Sequence, residues 1–234
     1  MAIADNAGLR KAITKESVKV GDFEWFYRES LPENPADKAP VVCLHGIVSQ
    51  SYSWRNKMPF IAAETGRRAI APDWLGMGFS ERPDRFDFHY TPEAFIEGLG
   101  QFLDALEIQS CVLVAQGFVG SVGIQFALRN PERIERLVIC NSPISTDHKL
   151  PFKIKQMSWP FIGDMITQDP LLVDRTLEGG GPYQVDDEDL DVYRRPFLQT
   201  SDTGRALLFT VKRLDLPTVT AEIQKGLAEW DKAT

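Results

Sequence analysis

Val112-Leu113-Val114-Ala115-Gln116-Gly117-Phe118-Val119-Gly120 reads as a buried strand that runs directly into the start of a helix. Four apolar residues in a row lack the alternation of a strand wetted on one face and fit one covered on both. Gln116-Gly117 ends the run, and the stretch from Phe118 to Arg129 carries apolar residues at helical spacing. A strand that turns sharply into a helix presents whatever stands at the corner, and here the corner holds Gly117.

The same kind of strand recurs on either side. Pro40-Val41-Val42-Cys43-Leu44, Arg68-Ala69-Ile70-Ala71-Pro72 and Leu137-Val138-Ile139-Cys140 are short continuous apolar runs, separated by stretches with helical character over 54–65, 92–106 and 118–129. That alternation predicts a parallel sheet with helices on both faces. Upstream, Val18-Lys19-Val20 and Phe23-Glu24-Trp25-Phe26-Tyr27 alternate around Gly21-Asp22, the pattern of a hairpin. After Asn141-Ser142-Pro143 the alternation stops, and residues 144–227 carry aromatic and aliphatic residues at helical spacing, interrupted by Gly179-Gly180-Gly181-Pro182. The expected organisation is a core over 1–143, a helical lid over 144–227, and the beginning of a further core segment over 228–234.

A chain of 234 residues suffices for one core and a small lid. Its formal charge of -7, with acidic residues gathered at Asp186-Asp187-Glu188-Asp189 and Asp191, argues against nucleic acid or an anionic membrane as partner. No stretch approaches the roughly 20 apolar residues of a membrane span, and the first residues lack the apolar run of a signal peptide. Cys43, Cys111 and Cys140 lie within or beside three different apolar runs and read as small core residues of a reducing compartment.

His45-Gly46-Ile47-Val48-Ser49-Gln50-Ser51-Tyr52-Ser53-Trp54, followed by Ala71-Pro72-Asp73-Trp74-Leu75-Gly76-Met77-Gly78-Phe79-Ser80, resembles the core of haloalkane dehalogenases and the related epoxide hydrolases. The resemblance covers about residues 18–145 and implies an α/β-hydrolase fold, with a mostly parallel sheet, a helical lid, and six of the usual eight strands. The Gln116-Gly117-Phe118 corner and Glu178-Gly179-Gly180-Gly181-Pro182-Tyr183 also resemble a hydrolase-like branch of plants, algae and cyanobacteria, and the reducing compartment and missing signal peptide lead to an expected location in the cytoplasm or plastid stroma. In these enzymes the corner is the elbow that carries the nucleophile, and the helix behind it ends at a Pro-Glu-Arg signature. Asn130-Pro131-Glu132-Arg133 stands where Gly117 as elbow requires, whereas sliding the elbow to Ser121 would cost the helix a whole turn.

Glycine has no side chain to attack anything. The resemblance further implies that the backbone amides of Ile47 and Phe118 form the oxyanion or halide pocket, but neither residue adds the side-chain donor that dehalogenases use there. Only His148 follows the elbow, and its position at the start of the lid is too early for the base of a triad. His45 reads as a loop brace, Asn141 and Asp147 lie where some dehalogenases place their acid, and Asp73 reads as a loop-fixing residue rather than a metal ligand. Gly117-Phe118-Val119-Gly120-Ser121-Val122-Gly123 has the wrong spacing for a dinucleotide turn, and no cofactor is expected.

The expectation is therefore a hydrolase-like protein without hydrolytic chemistry, keeping its pocket for a small apolar ligand or its surface for a protein partner. That pocket would be lined by His45, Gly46, Ile47, Trp74, Phe118, Asn141, Trp159, Phe161 and Phe209, although the same aromatics equally fit plain packing of lid on core. Two alternatives remain: an active hydrolase using Ser121 in a shifted elbow or a C-terminal segment beyond residue 234, and a structural subunit docking or self-associating through an open sheet edge at residues 137–140.

Overall fold

Backbone chemistry explains where the elements begin and end. The structure, a computed structural model, describes residues 12–169, 171–180, 184–200 and 202–232. Strands β1 (Ile13–Val20) and β2 (Phe23–Ser30) form the expected antiparallel hairpin, with Gly21 in the left-handed region at φ 60°. Strands β3 (Val41–Leu44), β4 (Ala69–Pro72), β5 (Cys111–Gln116) and β6 (Ile134–Cys140) complete a six-stranded sheet in the order β1-β2-β4-β3-β5-β6. The last four are mutually parallel and β2 meets β4 antiparallel, so the sheet is mixed.

Both faces of the central strands are buried, as their unbroken apolar runs require. Val42 and Leu44 point into the main core, which also holds Trp25, Ile70, Leu113 and Ala115. Val41 and Cys43 point the other way, into a smaller cluster with Ala69, Ala71, Val112 and Val114. Helix α1 (Met58–Thr65) covers that second face through Met58. It begins four residues later than expected. The residues before it form a 3-10 turn, Ser51–Trp54, and Pro59, which lacks an amide hydrogen, stands in the first helical turn.

Helix α2 (Pro92–Ala105) starts on Thr91, whose side chain accepts from the Ala94 amide at 3.3 Å, with Pro92 directly after it. Helix α3 (Gly117–Arg129) lies beside α2 on the main core and ends at the Pro-Glu-Arg turn, Pro131–Arg133. β6 is the outer strand at this side of the described sheet, with Val138 40% exposed. It is less uniformly apolar than residues 137–140 suggested. Glu135 is left over as an extra residue between the Ile134 and Arg136 pairings with β5, and Glu135 and Arg136 are both exposed.

Among the described residues after β6, a loop over 141–151 leads into the helices α4 (Phe152–Gln156), α5 (Ile162–Gln168), α6 (Leu172–Leu177), α7 (Asp187–Gln199), α8 (Asp202–Arg213) and α9 (Leu216–Ala228). A separate cluster of Ile154, Met157, Leu172, Val173, Tyr193, Leu207 and Val211 closes around Val48. Helix α8 is the seam, since Leu207 and Val211 belong to that cluster while Ala206 belongs to the main core and Phe209 packs against it. The expected lid of 144–227 is thus divided. Helix α9 sends Val219 and Ile223 into the main core, and its Glu222 takes Gln125 and Arg129 of α3 at 2.6 and 2.7 Å. Among the described residues no helix is long and apolar enough to cross a membrane.

Candidate functional site

The corner between β5 and α3 has the geometry its sequence announced. Gly117 stands at φ 70°, a left-handed conformation costing a residue with a side chain about 1–2 kcal/mol. A Cβ placed on it would lie 3.0 Å from the Gly46 Cα and 4.0 Å from the Ile47 amide nitrogen. The position that would carry a nucleophile therefore faces the loop after β3. Ser121 is not at this corner. It lies one turn into α3, fully buried, with its Oγ donating to the Phe118 carbonyl at 2.5 Å, so the shifted elbow is not the arrangement adopted.

Two backbone donors flank the vacant side-chain position. The Phe118 amide belongs to the first turn of α3, where N–H groups have no helical acceptor, and the preceding Gln116 adds no side-chain cap. Such an N-terminus carries partial positive charge. The Ile47 amide approaches from the opposite loop, while the Ile47 side chain is half-buried between the main core and the lid cluster. Phe118 is also half-buried, and its ring meets His148 edge-on with centroids 6.2 Å apart. In sequence His148 stands too early after the elbow for the base of a triad. The loop after β6 brings its ring to the elbow, and no spacing rule would have revealed that contact. Asn141, exposed at φ 51°, begins this loop, and the neighbouring Ser142 is buried with its Oγ 3.4 Å from the Ala115 carbonyl oxygen.

His45 and Asp73 hold the loops in place. The His45 Nδ1 donates to the Gly46 carbonyl at 2.8 Å, and its Nε2 accepts the Trp74 amide at 3.2 Å. This pairing requires the neutral imidazole with its proton on Nδ1. Burial holds the ring below its ordinary pKa of 6.5, against opposing pulls from Asp73 and the Gly46 hydrogen bond. As pH falls, the unfolded chain takes up this proton first. The stabilisation is thus complete above pH 6.5 and declines as pH drops from there toward the depressed folded value. The urea midpoint should fall on going from about pH 7 to about pH 5.5, and less steeply in His45→Gln; identical slopes in the two proteins would refute the assignment.

The aromatic lining expected of the pocket is not gathered at the elbow. Trp74 is fully buried in the main core, with ring centroids 6.2 Å from Trp25 and 5.6 Å from Phe95, and its Nε1 donates to the His45 carbonyl. Phe209 packs on Tyr90 at 5.9 Å, Trp159 meets Phe152 at 5.8 Å, and Phe161 is 86% exposed. The lid builds its own core on Val48, the neighbour of Ile47, and neither Trp159 nor Phe161 belongs to that cluster. What stays together at the elbow is Gly46, Ile47, Gly117 and Phe118, joined by His148.

Other chemistry has little to work with. Burial pushes the Cys43 and Cys111 thiols up to about 12, which keeps both protonated at neutral pH. Among the described residues no group of three His, Cys, Asp or Glu side chains is arranged to hold a metal ion.

Known proteins share this fold. The family described as the alpha/beta hydrolase fold matches residues 39–171. A haloalkane dehalogenase of Psychrobacter cryohalolentis is 32% identical over 169 residues, which is 71% of this chain and 54% of that protein. A 2-hydroxymuconate semialdehyde hydrolase of a Pseudomonas species is 41% identical over 106 residues, 44% of this chain and 36% of the hydrolase. The chain thus spans about half the length, or less, of the curated relatives it matches. Among solved structures, haloalkane dehalogenase DbeA of Bradyrhizobium elkani superposes with a TM-score of 0.76 at 27% identity, covering 92% of this chain and 76% of that one. A putative ancestral haloalkane dehalogenase superposes with a TM-score of 0.75 at 30% identity and the same coverage.

Proposed function

Because the chain belongs to the α/β-hydrolase fold family, we propose that it keeps the frame of a hydrolase site and uses it to bind a small apolar ligand rather than to cleave one. One observation carries this reading: the elbow retains its left-handed φ of 70°, but the residue there is Gly117. Hydrolysis through an elbow begins when a side chain at that corner attacks the substrate, and no other residue of the elbow stands in its place. The amides of Ile47 and Phe118 remain as preorganised donors for a carbonyl or similar oxygen, and the side chains of these two residues are apolar.

Assays of the purified chain with nitrophenyl esters, styrene oxide and brominated alkanes should give rates no greater than buffer alone. A panel of apolar carbonyl compounds should meanwhile raise the melting temperature, since a ligand at 100 times its Kd stabilises by about 2.7 kcal/mol. Repeated turnover that survives purification and disappears in Ser121→Ala would overturn the reading. So would a panel in which no compound stabilises the fold.

A further inference from the structure

A cleft of about 410 Å³, lined by no residue of the elbow, lies between β1, β2, the Ser51–Trp54 turn and α7. Its volume is in the range of small-molecule sites. Four cationic side chains line it, Lys15, Arg28, Arg55 and Arg195, in a chain whose overall charge is -7. Lys15 and Arg195 stand exposed at the rim. The other two are built into the wall.

Arg28 is only 3% exposed, yet a guanidinium stays charged in a protein and is rarely buried without a carboxylate beside it. Its hydrogen bond goes to a neutral group, the Ser51 hydroxyl at 3.0 Å. Three aromatic rings surround it, Phe26 at 5.1 Å, Tyr52 at 5.2 Å and Phe79 at 5.7 Å. Asp73 answers its charge from a distance, but both Asp73 oxygens are taken by the Ser51 and Phe79 amides. Burial without a direct ion pair lowers the Arg28 pKa, so a bound anion would be welcomed electrostatically. Arg55, by contrast, has a carboxylate beside it. It pairs with Asp189 and reaches the Tyr52 carbonyl and the Tyr193 hydroxyl, but its Nε is buried with no partner.

We propose that this cleft binds a small dianion, a phosphate monoester on a flat aromatic body. The guanidiniums of Arg28 and Arg55 hold the phosphate from inside, Lys15 and Arg195 close over it from the rim, and the aromatic body rests against Phe26, Tyr52 and Phe79. Phosphate fits better than a single carboxylate. Among the described residues, the carboxylates that these four cations address are Asp73 and Asp189, which leaves two positive charges to be matched. Guanidinium forks also bind tetrahedral oxyanions through paired N–H groups. The site is separate from the elbow and stands whether or not the elbow binds an apolar ligand.

Calorimetric titration of the full chain with phenyl phosphate, inorganic phosphate and benzoate, at one ionic strength, tests the proposal. Phenyl phosphate should bind one to one, about tenfold or more tighter than benzoate and tighter than inorganic phosphate. Lys15→Gln and Arg195→Gln, both exposed and harmless to folding, should each weaken phenyl phosphate about three- to tenfold, since each removes one charge-assisted contact at a wet rim. Arg28→Lys keeps the charge but removes the fork and should weaken it further. Absence of saturable binding, a preference for benzoate, or an affinity unchanged in the Lys15→Gln/Arg195→Gln double variant would each overturn the proposal.

Discussion

Asp73→Ala should cost about 4 kcal/mol, a large share of the roughly 5–15 kcal/mol that stabilises a domain. Asp73 is fully buried, and its two carboxylate oxygens accept the amides of Ser51 at 2.5 Å and Phe79 at 2.8 Å. Its own carbonyl takes the Ser80 hydroxyl at 2.6 Å and its amide donates to the Phe26 carbonyl at 2.8 Å, so one residue joins β2, the turn after β3 and the loop after β4. Alanine would strand two buried amides, each costing about 1–3 kcal/mol, and would remove the carboxylate that offsets the charge of buried Arg28. The loop cannot easily close the gap. Gly78, at φ 52°, already passes so near that a Cβ on it would lie 2.1 Å from an Asp73 oxygen. Asp73→Asn should lose about half as much, because the amide oxygen can serve one donor but the NH2 group opposes the other. Urea unfolding with an unchanged m-value measures both losses, and a loss under about 1 kcal/mol in Asp73→Ala would mean that water replaces the carboxylate.

Gly117→Asp should give a protein that attacks a brominated alkane once. The added carboxylate would attack the carbon of a brominated alkane, forming a C–O bond as bromide leaves, and the product is an ester on residue 117. Releasing that ester requires water activated by a base. Bromide release should therefore stop at about one equivalent per chain, and intact-mass measurement should find the alkyl adduct persisting. The substitution has a structural cost. Aspartate must accept φ 70°, about 1–2 kcal/mol, and its Cβ needs Gly46 to move by a few tenths of an ångström from a 3.0 Å approach. His148 has its ring against Phe118, the residue that follows the elbow position. Continued turnover in Gly117→Asp that vanishes in Gly117→Asp/His148→Gln would assign it the role of base and refute the single-turnover expectation.

Much of the scaffold was legible because continuous apolar runs have few structural solutions. β3, β4, β5 and the second half of β6 fall where the runs at 40–44, 68–72, 111–115 and 137–140 stand, and the elbow lies at Gly117, as the Pro131 register required. Boundaries that depend on turn chemistry were less clear. The helix expected from residue 54 waits until Met58, because the residues before it close a 3-10 turn that Asp73 caps through Ser51. The division of the lid was hidden as well, since α9 and the lid helices share the same helical periodicity and only packing assigns them to different partners.

The sequence alone determined the class of fold, the corner at Gly117 and the absence of an attacking group there, because these follow from local pattern and from residue type. Tertiary structure alone decided which side chains meet. It brought His148 to Phe118 across 30 positions of chain, withdrew Trp74 into the core, left Phe161 in solvent, and set Arg28 beside Arg55 in a cleft that no stretch of sequence describes. The physical reason is that strands and helices are chosen by short-range backbone and burial preferences, whereas a binding site is made by residues distant in the chain whose proximity depends on the packing of the whole molecule.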